Sequence, residues 1–350
     1  MSAATDTLIK NKIESQVPDY VYSDPIANKK RQVEMGSYQT GMKKLRKNIF
    51  LYILLSPGFI LRVVFGILPL FGIIIAFKAF NSNDWGTGFD LVRGMFLSPW
   101  ADNNGFQYMV ELFTLPEMQL AITNTISISM LGILTSFPVP IILALLFNEL
   151  KYGIFKKVSQ TVSYLPHFLS SVTVLGIVNM VYGADGPINS VVRFFGGDTI
   201  HFLQIPSFYW PNMLITQIWQ GSAWGSILYL AGIANADPQL YEAAKIDGAG
   251  RLRQTWIITL PCIIPIFVIQ MIFSLGGILG SNFTFLWGMR NNDITKNEYL
   301  TISTYMYMVG FEQGDYSRST GVGLTLGVIS FFLTMSVNYV ADKLTGTSVY

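Results

Sequence analysis

Residues 120–147 read LAITNTISISMLGILTSFPVPIILALLF, a run without one charged side chain. A helix needs about 20 mostly apolar residues to cross the hydrocarbon core of a bilayer, so this stretch predicts a membrane-spanning helix. Working outward, five more runs of similar character, separated by polar or Pro/Gly-rich segments, fall at 49–80, 160–182, 210–234, 260–287 and 321–340. The run at 160–182 is the weakest, because Ser163, His167, Ser170, Ser171 and Thr173 dilute it. The fold class expected is all-α: a polytopic membrane protein with six transmembrane helices.

Composition points the same way. Of the 350 residues, 51% are apolar and only 13% charged, where a soluble domain carries roughly 25% charged residues; the mean hydropathy is positive. A formal net charge of +2 is too small to suggest nucleic acid as a partner. The single cysteine, Cys262, rules out an intrachain disulfide framework and sits in an apolar run where it can pack as a small hydrophobe. Residues 1–48 are polar and lack the short apolar core and cleavage site of a signal peptide, so the first helix is expected to stay as an anchor. This arm mixes charges of both signs with Pro18 and Pro25 and has little means of building a core. Its basic end, Lys43, Lys44, Arg46 and Lys47, is suited to anionic lipid headgroups. The expected organisation is an arm over 1–48, a transmembrane domain over 49–342 and a tail over 343–350.

Orientation follows from lysine and arginine, which are enriched in short cytoplasmic loops. One set of loops holds Lys10, Lys12, Lys29, Lys30, Arg31, Lys43, Lys44, Arg46, Lys47, Lys151, Lys156, Lys157, Lys245, Arg251, Arg253 and Lys343; the alternate set holds Arg93, Arg193, Arg290, Lys296 and Arg318. Both termini are therefore expected in the cytoplasm, with loops 81–119, 183–209 and 288–320 outside. Trp85, Trp100, Phe202, Phe208 and Tyr209 in those outer loops suit either an external cap or an aromatic interface belt, and the general enrichment of aromatics at interfaces favours the belt.

The fourth and fifth runs are joined by a cytoplasmic loop, residues 236–261, ADPQLYEAAKIDGAGRLRQTWIITLP. It predicts two short helices joined at a glycine. Asp237 is a good N-cap and Pro238 suits the first helical position. Glu242 and Lys245 can pair at i,i+3, and Gly248 permits the positive φ that stops a helix. Residues 251–256 read as a second turn or two before Pro261 marks entry into the next run.

Glu242-Ala243-Ala244, then three residues, Gly248, nine residues and Ile258-Thr259-Leu260-Pro261 resemble the EAA loop of permease subunits of binding-protein-dependent ABC importers. Leu68 to Gly72 with Ala76, Phe77 and Lys78, Asn124-Thr125, Phe137 to Ile141 with Asn148-Glu149, and Gln160 to His167 resemble its carbohydrate branch, the maltose-type and polysaccharide-type permeases. The resemblance implies a type I ABC importer permease fold in a bacterial plasma membrane. It also implies a coupling helix in which Glu242, Ala243, Ala244, Asp247 and Gly248 meet an ATPase subunit. The small alanines would let another surface approach, and Glu242 would offer a carboxylate to an arginine or a helix N-terminus. The implied partners are a second permease subunit, expected to be a different chain, two ATP-binding subunits and an extracellular solute-binding protein. No Gly-x-x-x-x-Gly-Lys-Ser/Thr loop occurs, so no cofactor is expected on this chain, and ATP and Mg belong to the ATPase subunits.

An oligosaccharide needs aromatic faces and amides or hydroxyls. Gln217, Trp219, Gln220 and Trp224 in the fourth run, with Asn282, Phe285 and Trp287 near the outer end of the fifth, are the candidate substrate pathway. Interhelical glue and interfacial anchoring are the plainer reading of the same residues. Arg62, mid-run, is expected to face a partner helix or to snorkel, Lys78 to snorkel, and His167 to be a packed histidine rather than a pH sensor. No metal site or catalytic residue is expected: no His, Cys and carboxylate cluster has ligand spacing, and no serine, histidine and carboxylate set suggests catalysis. An ion-driven secondary transporter would show an intramembrane carboxylate, and the runs have no central Asp or Glu. A membrane enzyme of glycan synthesis would carry an acidic cluster in a loop, which is also lacking.

Overall fold

The computed structural model describes residues 48–81, 88–280, 283–290 and 295–345. Most of the N-terminal arm, Trp85, Asn282 and the end of the tail lie outside them. Helices make up about four-fifths of the described residues, and the one β contact among them is an isolated bridge between Lys78 and Trp100. The chain divides into two units, residues 1–72 and 73–350.

The described part of the first unit is helix α1 (Ile49–Arg62), which runs on through a π-helical turn, Val63–Ile67, into a 3-10 stretch, Leu68–Phe77. None of the residues of α1 is buried: Phe50, Leu54 and Phe59 are all exposed on its surface. A helix apolar on every side is one built to be surrounded by lipid or protein. Arg62 lies in its last turn, and its side chain runs along Gly66, where an added Cβ would come within 3.2 Å of Arg62 Cδ. The glycine makes room for the arginine stem.

The second unit begins in the 3-10 stretch and holds α2 (Phe89–Leu97), α3 (Gln107–Thr114), α4 (Pro116–Ser136), α5 (Pro138–Glu149), α6 (Gly153–Tyr164), α7 (Ser171–Tyr182), α8 (Pro187–Phe194) and α9 (Pro206–Ala234). It continues with α10 (Pro238–Ile246), α11 (Arg251–Gln254), α12 (Leu260–Gly276), α13 (Phe283–Gly288), α14 (Lys296–Tyr299), α15 (Ile302–Tyr307) and α16 (Tyr316–Thr345). Among the described residues four helical stretches are long and apolar enough to cross a membrane: Ile49–Phe77, Pro116–Glu149, Arg251–Gly276 and Tyr316–Lys343. They correspond to the first, second, fifth and sixth expected runs.

The third run is not a straight helix. α6 leads through a 3-10 turn, Leu165–Phe168, and α7 then leaves at a bend of 101°. Leu169 and Ser170 are extended, and the Ser170 hydroxyl accepts from the Thr173 amide as the N-cap of α7. Ser170 and Thr173, two of the polar residues that weaken this run in the sequence, start the next helix at the break. The fourth run is α9, 29 residues and about 43 Å long at 1.5 Å per residue. It has the length to cross, but Asn212, Thr216, Gln217, Gln220, Ser222 and Ser226 lower its apolar content. The fifth run ends earlier than its composition predicts: α12 ends at Gly276–Gly277, and Phe285 and Trp287 stand on the separate short helix α13. Consecutive glycines release the chain there before the apolar composition ends.

α9 is the centre of the packing, lying against α5 and α12. Near its C-terminal end Tyr229 and Ile233 pack with Ala144 and Ile263. At its N-terminal end Tyr209 and Met213 pack with Ile128, Val174, Phe285 and Leu286, and the Tyr209 hydroxyl donates to the Leu286 carbonyl. Trp210 Nε1 donates to the Glu298 carbonyl (2.9 Å). Asn124 on α4 donates to the carbonyls of Asn297 (2.5 Å) and Leu300 (2.8 Å), and Thr125 accepts from the Ile302 amide (2.9 Å). The segment 296–307 is thereby tied to two long helices. Phe202 meets both Phe208 and Tyr182 edge to face. Tyr209 is buried, whereas Phe208 and Trp100 are exposed. Lys78 does not snorkel: it is buried, donates to the Ser98 carbonyl (3.0 Å) and lies 4.1 Å from the centre of the Trp100 ring.

Candidate functional site

The loop after α9 has the expected shape. The Asp237 carboxylate accepts from the Gln239 amide (2.9 Å), capping α10, and Pro238 takes the first helical position. The helix stops at Gly248, whose φ is +73°. The Ala249 amide donates back to the Ala244 carbonyl (2.8 Å) and the Gly248 amide to the Lys245 carbonyl (3.1 Å), which satisfies the last carbonyls of the helix. After Gly250 the chain re-enters helix at α11 and passes through a π-helical turn, Thr255–Thr259, straight into α12. The second short helix thus opens the fifth apolar stretch, and Pro261 lies inside a continuous helical stretch, Arg251–Gly276.

Three side-chain contacts fix the loop. The hydroxyls of Tyr241 and Thr259 are 3.0 Å apart, joining α10 to the π turn. Arg251 meets Glu149 at the end of α5 at 3.3 Å, and Gln254 donates to the Ala249 carbonyl (2.7 Å). With its inner edge held in this way, α10 buries none of its own residues. Glu242, Ala243, Asp247 and Gly248 are exposed and Ala244 half-buried, with Leu240 and Ile246 also turned outward. Glu242 and Lys245 do not form the i,i+3 ion pair their spacing allows; among the described residues neither makes a salt bridge. The arrangement is a capped helix that leaves a carboxylate, small residues and two aliphatic side chains on the surface of this chain.

The proposed pathway residues divide. At 100° per residue, Gln217, Gln220 and Trp224 lie within about 60° of one another around α9, while Trp219 points about 200° from Gln217. Gln220 donates to the Leu169 carbonyl in the α6–α7 bend (3.1 Å). Trp224 stacks on His167 from the same bend, with ring centres 4.6 Å apart and planes 4° from parallel, and meets Phe168 edge to face at 5.3 Å. His167 is exposed rather than packed in the interior as expected, and its partner is this indole. Phe285 is buried in the cluster around Tyr209, and Asn282 lies outside the described residues.

Gln217 opens onto a cavity of about 280 Å³ between α4, α5, α9 and α12. Ser222 and Tyr229 of α9, Thr135 and Ser136 of α4, and Gln270 and Ser274 of α12 also line it, and Gly221 and Gly225 leave space on α9. The sequence reading missed Tyr229, Gln270 and Ser274. The signal was present for the last two, which sit four apart in an otherwise apolar helix and so share a face. Cavity and stacked pair occupy neighbouring stripes of α9. Among the described residues no group of His, Cys, Asp or Glu is placed to hold a metal ion.

The family described as the inner membrane component of binding-protein-dependent transport systems matches residues 136–346. Over 309 residues the chain is 38% identical to the polygalacturonan/rhamnogalacturonan transport system permease protein YteP of Bacillus subtilis (strain 168), covering 88% of this chain and 92% of the relative. It is 36% identical over 303 residues to protein LplB of the same organism, covering 86% and 91%. Among solved structures it is similar to a chain of a bacterial ABC transporter involved in the import of the acidic polysaccharide alginate, with a TM-score of 0.76 and 32% identity over 87% of this chain and 99% of that one. A second structure, of a bacterial alginate ABC transporter in complex with an alginate pentasaccharide-bound periplasmic protein, gives 0.75 and 32% over 88% and 99%.

Proposed function

Because the chain belongs to the inner membrane components of binding-protein-dependent transport systems, with the type I ABC importer permease fold of its structural relatives, we propose that it conducts an oligosaccharide into the cytoplasm, driven by ATP hydrolysed on separate subunits. The sugar class rests on the relatives, which are named for polygalacturonan, rhamnogalacturonan and alginate transport. The observation that carries the coupling is α10: a capped helix, pinned by Tyr241, whose Glu242, Ala243, Asp247 and Gly248 surface is left bare. An exposed helix of that kind fits a groove on an ATPase subunit, with Glu242 meeting a cation there and Ala243 and Ala244 permitting close approach.

The assembly pairs this chain with a second, different permease subunit, two ATPase subunits that hold ATP and Mg, and an extracellular solute-binding protein. The coupling loop, both termini and the arm over 1–48 face the cytoplasm. When the ATPases close, α10 moves with them, and Tyr241 and the continuous backbone from Arg251 carry that motion into α12. The two permease states are biased by ATP at one end and by the loaded binding protein at the other. Sugar released from that protein passes Trp224, Gln220 and Gln217, where an indole face and two amides suit a pyranose ring. Uptake of labelled oligosaccharide into proteoliposomes holding the complete assembly tests this: it should need ATP and be lost when Glu242 and Gly248 are both replaced. Uptake that proceeds on an ion gradient without ATP would contradict the proposal.

A further inference from the structure

The hydroxyls of α9 are treated in two ways. Thr216 and Ser226 donate to carbonyls of their own helix, those of Asn212 (2.7 Å) and Ala223 (2.6 Å). Ser222, between them, is 6% exposed and lines the cavity, yet it has no hydrogen-bond partner among the described residues. Gln270 and Ser274, one turn apart on the cavity side of α12, have none either. A buried polar group without a partner costs free energy, so three of them meeting one space of about 280 Å³ fit a ligand that supplies hydrogen bonds. That volume lies just under the range of about 300–1,000 Å³ usual for small-molecule sites. It has room for one sugar ring.

The lining also decides the charge of what it holds. None of its residues is charged. The free amides of a helix N-terminus can hold an anion, and α5 starts beside the cavity, where Phe137 and Pro140 line it. Its first four positions are Pro138, Val139, Pro140 and Ile141. Two of these have no amide hydrogen, and the Ile141 amide already donates to the Phe137 carbonyl (3.2 Å). A carboxylate in this cavity would therefore meet no cation and almost no free backbone donor. Among membrane-spanning helices an ionised group is costly unless it is paired. Sugar hydroxyls, which donate and accept, match the amide and hydroxyls that stand without partners.

We propose that the cavity takes an uncharged sugar ring and excludes a uronate, with Ser222, Gln270 and Ser274 setting that preference. The inference rests on the functional reading above and narrows it, since the relatives include a transporter for the acidic polysaccharide alginate. The test is equilibrium binding to the complete transporter in nanodiscs, without the binding protein, whose own selectivity would otherwise enter. The probes are the methyl glycosides of glucose, galactose and mannose, each beside its uronate, which differs in a carboxylate at C6. At neutral pH a neutral glycoside should bind about tenfold or more tighter than its uronate. Ser222→Ala and Gln270→Leu should each weaken that binding several-fold, and Gln270→Lys, which puts a cation in the lining, should move the preference towards the uronate. Uronates bound as tightly as their neutral partners, no neutral glycoside bound, or neutral binding that Ser222→Ala and Gln270→Leu leave unchanged would overturn the inference alone. Wild-type proteoliposomes that, given ATP and the binding protein, take up no oligosaccharide of either kind would overturn the functional reading itself.

Discussion

The hydroxyls of Tyr241 and Thr259 lie 3.0 Å apart and join two parts of the chain 18 residues distant. Tyr241 belongs to the exposed helix α10, Thr259 to the turn that opens α12, and the contact is a direct side-chain link between them. Tyr241→Phe removes the hydrogen bond and keeps the ring. A single such bond is worth roughly 1 kcal/mol, about a fivefold change in an equilibrium. The expected result is a several-fold fall in sugar transported per ATP hydrolysed, with assembly preserved; an unchanged ratio in proteoliposomes would show that motion does not pass through this pair.

Gly248 offers a cleaner separation of causes. Its φ is +73°, and a Cβ built there meets nothing within 4 Å. Any loss on substitution therefore comes from backbone conformation and not from a clash within this chain, a cost of roughly 1–2 kcal/mol for an ordinary L-residue. Gly248→Asn should retain more uptake than Gly248→Ala, because asparagine visits this conformation more readily. Equal loss in both would instead point to crowding against the ATPase subunit.

How much of this was readable beforehand differs by residue. The cap at Asp237, the stop at Gly248 and the length of the second run depend on local rules, and the structure follows them. Ser170 and Thr173 were read only as dilution of an apolar run; as an N-cap pair they mark the start of α7. The α12 terminus at Gly276 was hidden because Phe285 and Trp287 continue the apolar composition past the break. Of the pathway residues, helical spacing alone would have set Trp219 apart from Gln217, whereas the His167–Trp224 stack joins positions 57 residues apart and had no local signal. Lys78 was misjudged for the same reason: its acceptor, Ser98, and its ring, Trp100, lie in another element.

The asparagine at position 124 is a structural prediction independent of transport. Its buried amide group serves two carbonyls, that of exposed Asn297 and that of buried Leu300. Asn124→Ala leaves both without that donor, at a cost of about 1–3 kcal/mol. The purified variant should unfold several degrees earlier in a thermal scan, and protease sites in 296–307 should open first. A scan matching the wild type would mean that this segment is not held through α4.

Trp224 carries the last prediction. Its ring lies parallel to His167 with centres 4.6 Å apart and is 42% exposed, so the indole has one face occupied and remains within reach of a passing sugar. A stacked aromatic pair contributes roughly 0.5–1.5 kcal/mol beyond the area it buries. Trp224→Ala should lose both the stack and the platform, Trp224→Phe should keep much of each, and His167→Ala should lose the stack alone. Oligosaccharide uptake at saturating binding protein should then fall in the order Phe, His167→Ala, Trp224→Ala, with the largest loss about tenfold or more. ATP hydrolysis should fall far less, because Trp224 stands about 15 Å along α9 from the end that leads into the coupling loop. Parallel losses of uptake and hydrolysis would place Trp224 in transmission between the two states, and uptake unaffected by Trp224→Ala would remove it from the pathway.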